Sequence, residues 1–207
     1  MQATWQPILE GELADLAWKA ILAIYKDLGP AEQATEAIAG PAEWSLANGA
    51  AGKALFCAYL AEAKDDEAMA EQACDYLEMA LESAARRRWA FSLWEGLLGV
   101  SWTYDHLAGR LFEAEDEPET SDIEELLMHS LQHSDGTFEY DLLHGLTGYG
   151  IACLEGRHRA GARQALDLIL DHLTQTAEAF DGGIRWHTPP EDLPTWQREL
   201  APEGYYN

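Results

Sequence analysis

The chain has 207 residues, 47% of them apolar, and carries 37 acidic against 13 basic side chains for a net charge of −24. That length and apolar content suit a sizeable core, and the charge excludes nucleic acid and anionic membrane surfaces as partners, because phosphate contacts rest on clustered Lys and Arg. No basic segment followed by an apolar core opens the chain, and no uncharged stretch reaches the roughly 20 residues that span a bilayer, so the sequence predicts a cytoplasmic protein with no membrane span.

From Pro7 to Leu28, Leu9, Leu13, Leu16, Ala20, Ile21 and Ile24 recur at steps of three and four, which predicts an amphipathic helix ended by Gly29-Pro30. Ala50 to Leu60 is apolar on nearly every side and predicts a helix buried all round. Asp65 to Ala85 differs: Met69, Ala73, Tyr76, Leu77, Ala80, Leu81 and Ala84 form one stripe, and acidic residues hold the other face. Leu97 to Tyr104 is again apolar all round, and Ser92 with Glu95 has the spacing of a capping box. An acidic loop, Glu113 to Glu119, reads as solvated surface and leads to a second capping-box match, Ser121 with Glu124, and a short helix ending near His133. Leu146 to Leu154 is a third buried run. Arg159 to Ala179 is another amphipathic helix, with Ala162, Ala165, Leu166, Ile169, Leu170 and Leu173 inward. The tail from Phe180 to Asn207 is rich in turn residues, and strand-like alternation is hardly present anywhere.

A short phrase stands at the mouth of each fully apolar helix: Ser45-Leu46-x-x-Gly49-x-x-Gly52, Ser92-Leu93-x-x-Gly96-x-x-Gly99 and Asp141-Leu142-x-x-Gly145-x-x-Gly148. Ser45 and Ser92 are 47 residues apart, and Ser92 and Asp141 are 49 apart. A fixed period of that length marks a repeat architecture, in which each unit must stack on its neighbours to bury its apolar face. Amphipathic helices then form an outer ring and fully apolar ones an inner ring. The expected fold is all-α, an incomplete α/α toroid of helical hairpin repeats forming a single domain over residues 1–207. Glycines at a helix mouth lower helix propensity by about 1 kcal/mol each, so close helix approach or a backbone facing a central cavity has to justify them.

The phrase triplet, Tyr140-Asp141-Leu-Leu-His-Gly145-Leu-Thr-Gly148, the Gly182-Gly183-x-x-Trp186 segment and the terminal Gly204-Tyr-Tyr-Asn together resemble the lanthionine synthetase C-like family. The resemblance covers nearly the whole chain but only the N-terminal part of that family's domain. It implies an α/α toroid with a central zinc ion, closing thioether rings in peptides. There, zinc binds a substrate cysteine as the thiolate, which adds to a dehydroalanine or dehydrobutyrine, and the resulting enolate must be protonated. The family's zinc ligands, two cysteines and a histidine, come from motifs late in the domain, and a further functional histidine from a His-Gly motif after the Gly-Tyr-Tyr-Asn tail. None of these is present, so no cofactor is expected in this chain and zinc only in a complete family member.

Asp141 is the one functional position the resemblance carries over, as a candidate acid/base; aspartate is also a good N-cap, like Ser45 and Ser92 at the equivalent positions, and both roles can coexist. Tyr140, His144 and Trp186 are candidate substrate contacts. Trp94, Trp102 and Trp186 are candidates for lining a peptide groove, with core packing as the alternative. His129 and His133 stand four apart, a spacing that suits one metal or a surface pair. Cys57, Cys74 and Cys153 are odd in number, far apart and within helical patterns, and read as buried small hydrophobes. Arg86-Arg87-Arg88 and Arg157-His158-Arg159 read as solvated helix ends near carbonyl oxygens.

Two functions are open at this point. One is the N-terminal half of a peptide cyclase that takes a peptide substrate and is inactive alone. The other is a non-catalytic peptide-binding or scaffolding module. A remoter third, carbohydrate chemistry, would pair Asp141 with Asp135. The cut repeat stack predicts an open edge at Ala162, Leu166, Ile169 and Leu173, and with it self-association or a partner chain.

Overall fold

The computed structural model describes residues 8–31, 43–86, 90–113, 120–133, 138–193 and 195–206. They fall into two compact units that divide after residue 38. The first holds one amphipathic helix, α1 (Gly11–Leu28), which starts four residues later than the sequence predicts and ends where Gly29-Pro30 follow.

The second unit is built from three helical hairpins. Its inner helices are α2 (Ala50–Lys64), α4 (Leu97–Leu107) and α6 (Leu146–Glu155). They pack in series, α2 on α4 and α4 on α6. The outer helices α3 (Glu67–Ala85), α5 (Ser121–His133) and α7 (Ala160–Thr176) cover them: α3 lies on α2 and α4, and α7 lies on α6 and α5. Five residues of the predicted stripe on α3 are buried (Ala73, Tyr76, Leu77, Ala80 and Ala84), as is Met79 outside it, while Met69 and Leu81 of the stripe are half-buried; Asp66 caps the helix by accepting from the Met69 amide at 3.1 Å. The all-α class and the hairpin repeat are as the sequence predicts.

Three expectations are corrected. Tail residues form two small antiparallel pairs, β1 (Glu178–Phe180) with β2 (Gly183–Arg185) and β3 (His187–Thr188) with β4 (Tyr205–Tyr206), and the short helix α8 (Thr195–Arg198) lies between β3 and β4 in chain order. Asp181 and Gly182 form the two-residue turn of the first pair, both with positive φ (41° and 80°), which is the hairpin turn that Asp-Gly favours. Second, the open edge does not run along Ala162 and Ile169, which are 1% and 2% exposed because α5 and α6 both pack on α7; Leu166 and Leu173 are half-buried, and Leu170 is the exposed leucine. Third, α2 and α6 are not buried all round, since Tyr59 on α2 and Leu154 on α6 are exposed.

The Arg157-His158-Arg159 cluster divides. Arg157 donates to the Leu154 carbonyl at 2.7 Å, as a basic residue at a helix end does. Arg159 is only 11% exposed and grips Asp105 through both guanidinium ends at 2.7 Å, while also pairing with Glu124. Burial alone would push its guanidinium down, but the hydrogen bonds and charges of Asp105 and Glu124 outweigh that and raise it. Glu124 therefore turns to Arg159 and does not close a capping box with Ser121. Arg87, Arg88, Asp135 and the acidic loop after Glu113 lie outside the described residues. Among the described residues, no helix is long and apolar enough to cross a membrane.

Candidate functional site

Each phrase is a turn laid across the start of its inner helix. Gly49, Gly96 and Gly145 are the N-cap residues, in extended conformation with no side chain to cap with. The first residue of each phrase caps the turn. Ser45 Oγ accepts from the Asn48 amide at 3.4 Å; Ser92 Oγ accepts from Trp94 and Glu95 at 3.2 and 3.0 Å; Asp141 Oδ1 accepts from Leu143 and His144 at 2.7 and 3.0 Å. Ser92 and Asp141 thus cap the turn before the helix, not the helix itself; the Glu95 amide to Ser92 Oγ bond is the serine half of the predicted capping box, placed one turn ahead of the helix, whose N-cap is Gly96.

Close approach explains the second glycine. A Cβ on Gly52, Gly99 or Gly148 would run into the carbonyl oxygen of Leu46, Leu93 or Leu142 in the same phrase. Neighbouring phrases are also joined through their backbones, the Ala47 amide donating to the Trp94 carbonyl at 2.9 Å and the Trp94 amide to the Leu143 carbonyl at 3.3 Å. Ser92 adds a side-chain link, its hydroxyl donating to Leu143 O at 2.8 Å.

The third phrase meets the tail. Tyr140 Oη lies 2.6 Å from Thr188 Oγ1 and donates to the Trp186 carbonyl at 3.3 Å, and the Tyr140 and Trp186 rings stand 6.2 Å apart. The Trp186 indole donates to Leu173 O at 2.9 Å at the end of α7. Pairing of β3 with β4 brings the terminal Tyr205-Tyr206 beside Thr188. The residues that carried the resemblance, Tyr140, Asp141, Trp186 and the Gly-Tyr-Tyr tail, are therefore assembled on one side of the third hairpin.

The family model for lanthionine synthetase C-like proteins matches residues 40–193. This chain belongs to the lanthionine synthetase C-like family. No curated protein matches it.

Within this family fold, His144 is exposed at the turn, one residue from Gly145. Trp94 is exposed in the second phrase, and Trp102 stacks on His106 further along α4 at 4.7 Å. His129 and His133 stack on each other at 4.3 Å, and His133 Nδ1 lies 3.0 Å from the His129 carbonyl, on an exposed stretch of α5. Tyr149, unremarked in the sequence, sits between Phe91 and Phe138; burial first, then the charges of Glu139 and Asp141, push its phenol up to about 12.

The zinc of the family needs three protein donors converging on one point. Among the described residues, no three His, Cys, Asp or Glu side chains do so. Burial pushes the Cys57 thiol up to about 11 and the Cys153 thiol up to about 12, the opposite of what a metal-bound thiolate needs. Cys74, expected to be buried, is exposed on α3. These residues do not fit the ion.

Proposed function

We propose that residues 1–207 form one domain, the N-terminal part of a cytoplasmic lanthionine synthetase C-like peptide cyclase. In this reading a substrate peptide lies across the Tyr140, His144 and Trp186 surface beside Asp141, and the zinc chemistry is supplied from outside the chain. Alone the chain then binds peptide and closes no thioether ring. The observation that carries the reading is the joining of Tyr140 to Thr188 and Trp186, which brings the tail to the Asp141 turn.

Chemically, Asp141 has room for a second role. Oδ1 accepts two turn amides, and a carboxylate offers about four lone-pair sites. Ring closure leaves an enolate carbon that needs a proton, and a carboxyl group at a helix mouth can donate or relay one.

A second reading, the non-catalytic peptide-binding or scaffolding module, is favoured by a different observation. Ser92 makes the same pair of turn bonds as Asp141, so capping alone accounts for the residue's geometry.

The test is a fluorescent peptide carrying one cysteine and one dehydroalanine. Anisotropy reads binding, and iodoacetamide uptake reads the free thiol. Both readings expect binding that Tyr140→Phe weakens, with the thiol intact. Supplied with the remaining part of a family domain, the chain should consume the thiol, and Asp141→Asn should slow this at least tenfold if Asp141 is an acid/base. An unchanged rate selects the scaffold; no binding at all removes both.

A further inference from the structure

Three chemically different residues occupy one repeat position. Tyr59, His106 and Glu155 each stand fourteen residues after the start of their phrase, on α2, α4 and α6. Their side chains join in a line: Tyr59 Oη lies 2.6 Å from His106 Nε2, and His106 Nδ1 lies 3.0 Å from Glu155 Oε1. Trp102, one turn earlier on α4, stacks on the imidazole with 13° between the ring planes and fixes its orientation.

The order of the groups sets the direction of the line. An ionised carboxylate only accepts, so Glu155 keeps the proton on Nδ1, and Nε2 is left to accept from the phenol. This is the arrangement of an acid–base chain in which a third group orients the base. The middle of the line is its sheltered part: the His106 side chain is 17% exposed, against 33% for the Glu155 side chain and 45% for Tyr59. Nine residues of helix, about 13 Å, separate this position from the start of each inner helix, so it is remote from the phrase turns.

The phenol borders a cavity of about 810 Å³. Ala58, Leu107 and Leu111 supply its apolar lining, and Glu62, Asp65 and Glu67 supply carboxylates. A cation already sits at its wall, since the Arg110 guanidinium lies 5.6 Å from the Tyr59 ring centre and 3.4 Å from Glu62. A cavity so lined, in a chain of net charge −24, favours a cation with a short apolar stem over any anion.

We propose that Tyr59, His106 and Glu155 form a proton relay at a second site, and that its substrate presents an alkylammonium group, from a lysine side chain or a free polyamine. Tyr59 is the catalytic residue, and His106 and Glu155 act through it. The ammonium gives one proton to Tyr59 Oη as the phenol proton passes to His106 Nε2. The products are a neutral amine, competent as a nucleophile, and an imidazolium held against the Glu155 carboxylate; no other co-reactant is needed. The site stands whether or not a peptide binds at Tyr140 and Asp141.

The full chain tests this with a phenol-directed sulfonyl fluoride near pH 7, read by peptide mass spectrometry. The reagent bonds sulfur to the phenol oxygen, fluoride leaves, and the phenol proton goes to the base. Tyr205 and Tyr206, 39% and 46% exposed, are internal controls of similar access. Tyr59 should label at least about tenfold faster than either. His106→Asn should bring it to the control rate, and Glu155→Gln should slow it several-fold while the controls are unchanged. n-Butylammonium should protect Tyr59, and n-butanol should not. A lysine-containing peptide and spermidine, compared at equal concentration, distinguish the two sources by which protects better. Labelling of wild-type Tyr59 at the control rate would reduce the line to an interhelix hydrogen-bond chain, with no variant needed. Equal protection by the alcohol would overturn the ammonium class.

Discussion

Leu93 lies so close to Gly148 that a Cβ on the glycine would stand 3.1 Å from the leucine's own Cβ, and Leu46 meets Gly99 in the same way at 2.9 Å. These are the contacts by which one repeat seats on the next. An added methyl would also press on the carbonyl oxygen of its own phrase, which is backbone and cannot swing aside. Gly99→Ala should therefore destabilise the protein by about 2 kcal/mol, even though alanine is the better helix former by roughly 1 kcal/mol. Gly150 on α6 is the control, since its Cβ would meet only Ile169 and Leu166 side chains at 3.9 and 4.0 Å. Gly150→Ala should be neutral or stabilise by up to about 1 kcal/mol. Urea midpoints compare the two, and equal losses would remove repeat seating as the cause.

Ser92 both accepts from its own turn and donates to Leu143 of the next phrase, in a position 3% exposed. An aspartate carboxylate cannot donate that bond. Ser92→Ala should cost about 1–3 kcal/mol, and Ser92→Asp at least as much, because its charge would face a carbonyl oxygen. Asp141→Ser keeps the acceptor that the third turn uses and should change stability by less than about 1 kcal/mol. Thermal denaturation of the three variants checks the order.

Arg159 holds two carboxylates, Asp105 and Glu124, that are only 2% and 14% exposed. Arg159→Met leaves both charges buried without a partner and should cost about 3–5 kcal/mol. Adding Asp105→Asn to that variant removes one orphaned charge and should recover part of the loss. A double-mutant cycle in urea measures it; simple additivity would mean the triad is not coupled.

The cysteines should divide by access. Cys74 is exposed and should react with a disulfide reagent in the native protein, slowly, because desolvation first and then Asp75 and Glu71 hold its thiol above the ordinary value. Cys57 and Cys153 are buried and should appear only on denaturation. Rapid native reaction of more than one thiol would contradict the packing.

Alkali should loosen the fold for the same reason. Cys57, Cys153 and Tyr149 hold their protons to about 11, 12 and 12 in the folded chain, against ordinary values of 9.0, 9.0 and 10.0. Above about pH 9 the unfolded chain releases protons that the folded chain keeps, so stability is complete below that pH and falls as pH rises through the folded values. Melting temperature should decline from pH 9 to 11, and Cys57→Ala with Cys153→Ala should flatten the decline.

Much of this architecture was legible because it is periodic. The apolar stripe on α3 follows from steps of three and four, the inner helices from runs apolar on nearly every side, and the phrase register from spacing. Arg159 was not legible, because its carboxylate partners lie 35 and 54 residues back and follow no local rule. The β1–β2 and β3–β4 pairs are two or three residues long, too short for alternation to register. Asp141 was found by its place in the phrase, but its turn-capping geometry depends on Gly145, not the aspartate, occupying the helix cap. Tyr59, His106 and Glu155 share a register and no chemistry, so a search by residue type passes over them; aligning the phrases and reading fourteen residues on would have found them.

The backbone bonds from Ala47 to Trp94 and from Trp94 to Leu143 use no side-chain atoms. Repeat spacing is thereby separated from residue identity at that position, which alanine, tryptophan and leucine occupy in turn. Trp94 and Leu143 are 45% and 40% exposed, so the phrase turns of the second and third hairpins are replaceable fingertips on a fixed hand. New contacts can be written there, by drift or by an engineer, without re-solving the fold.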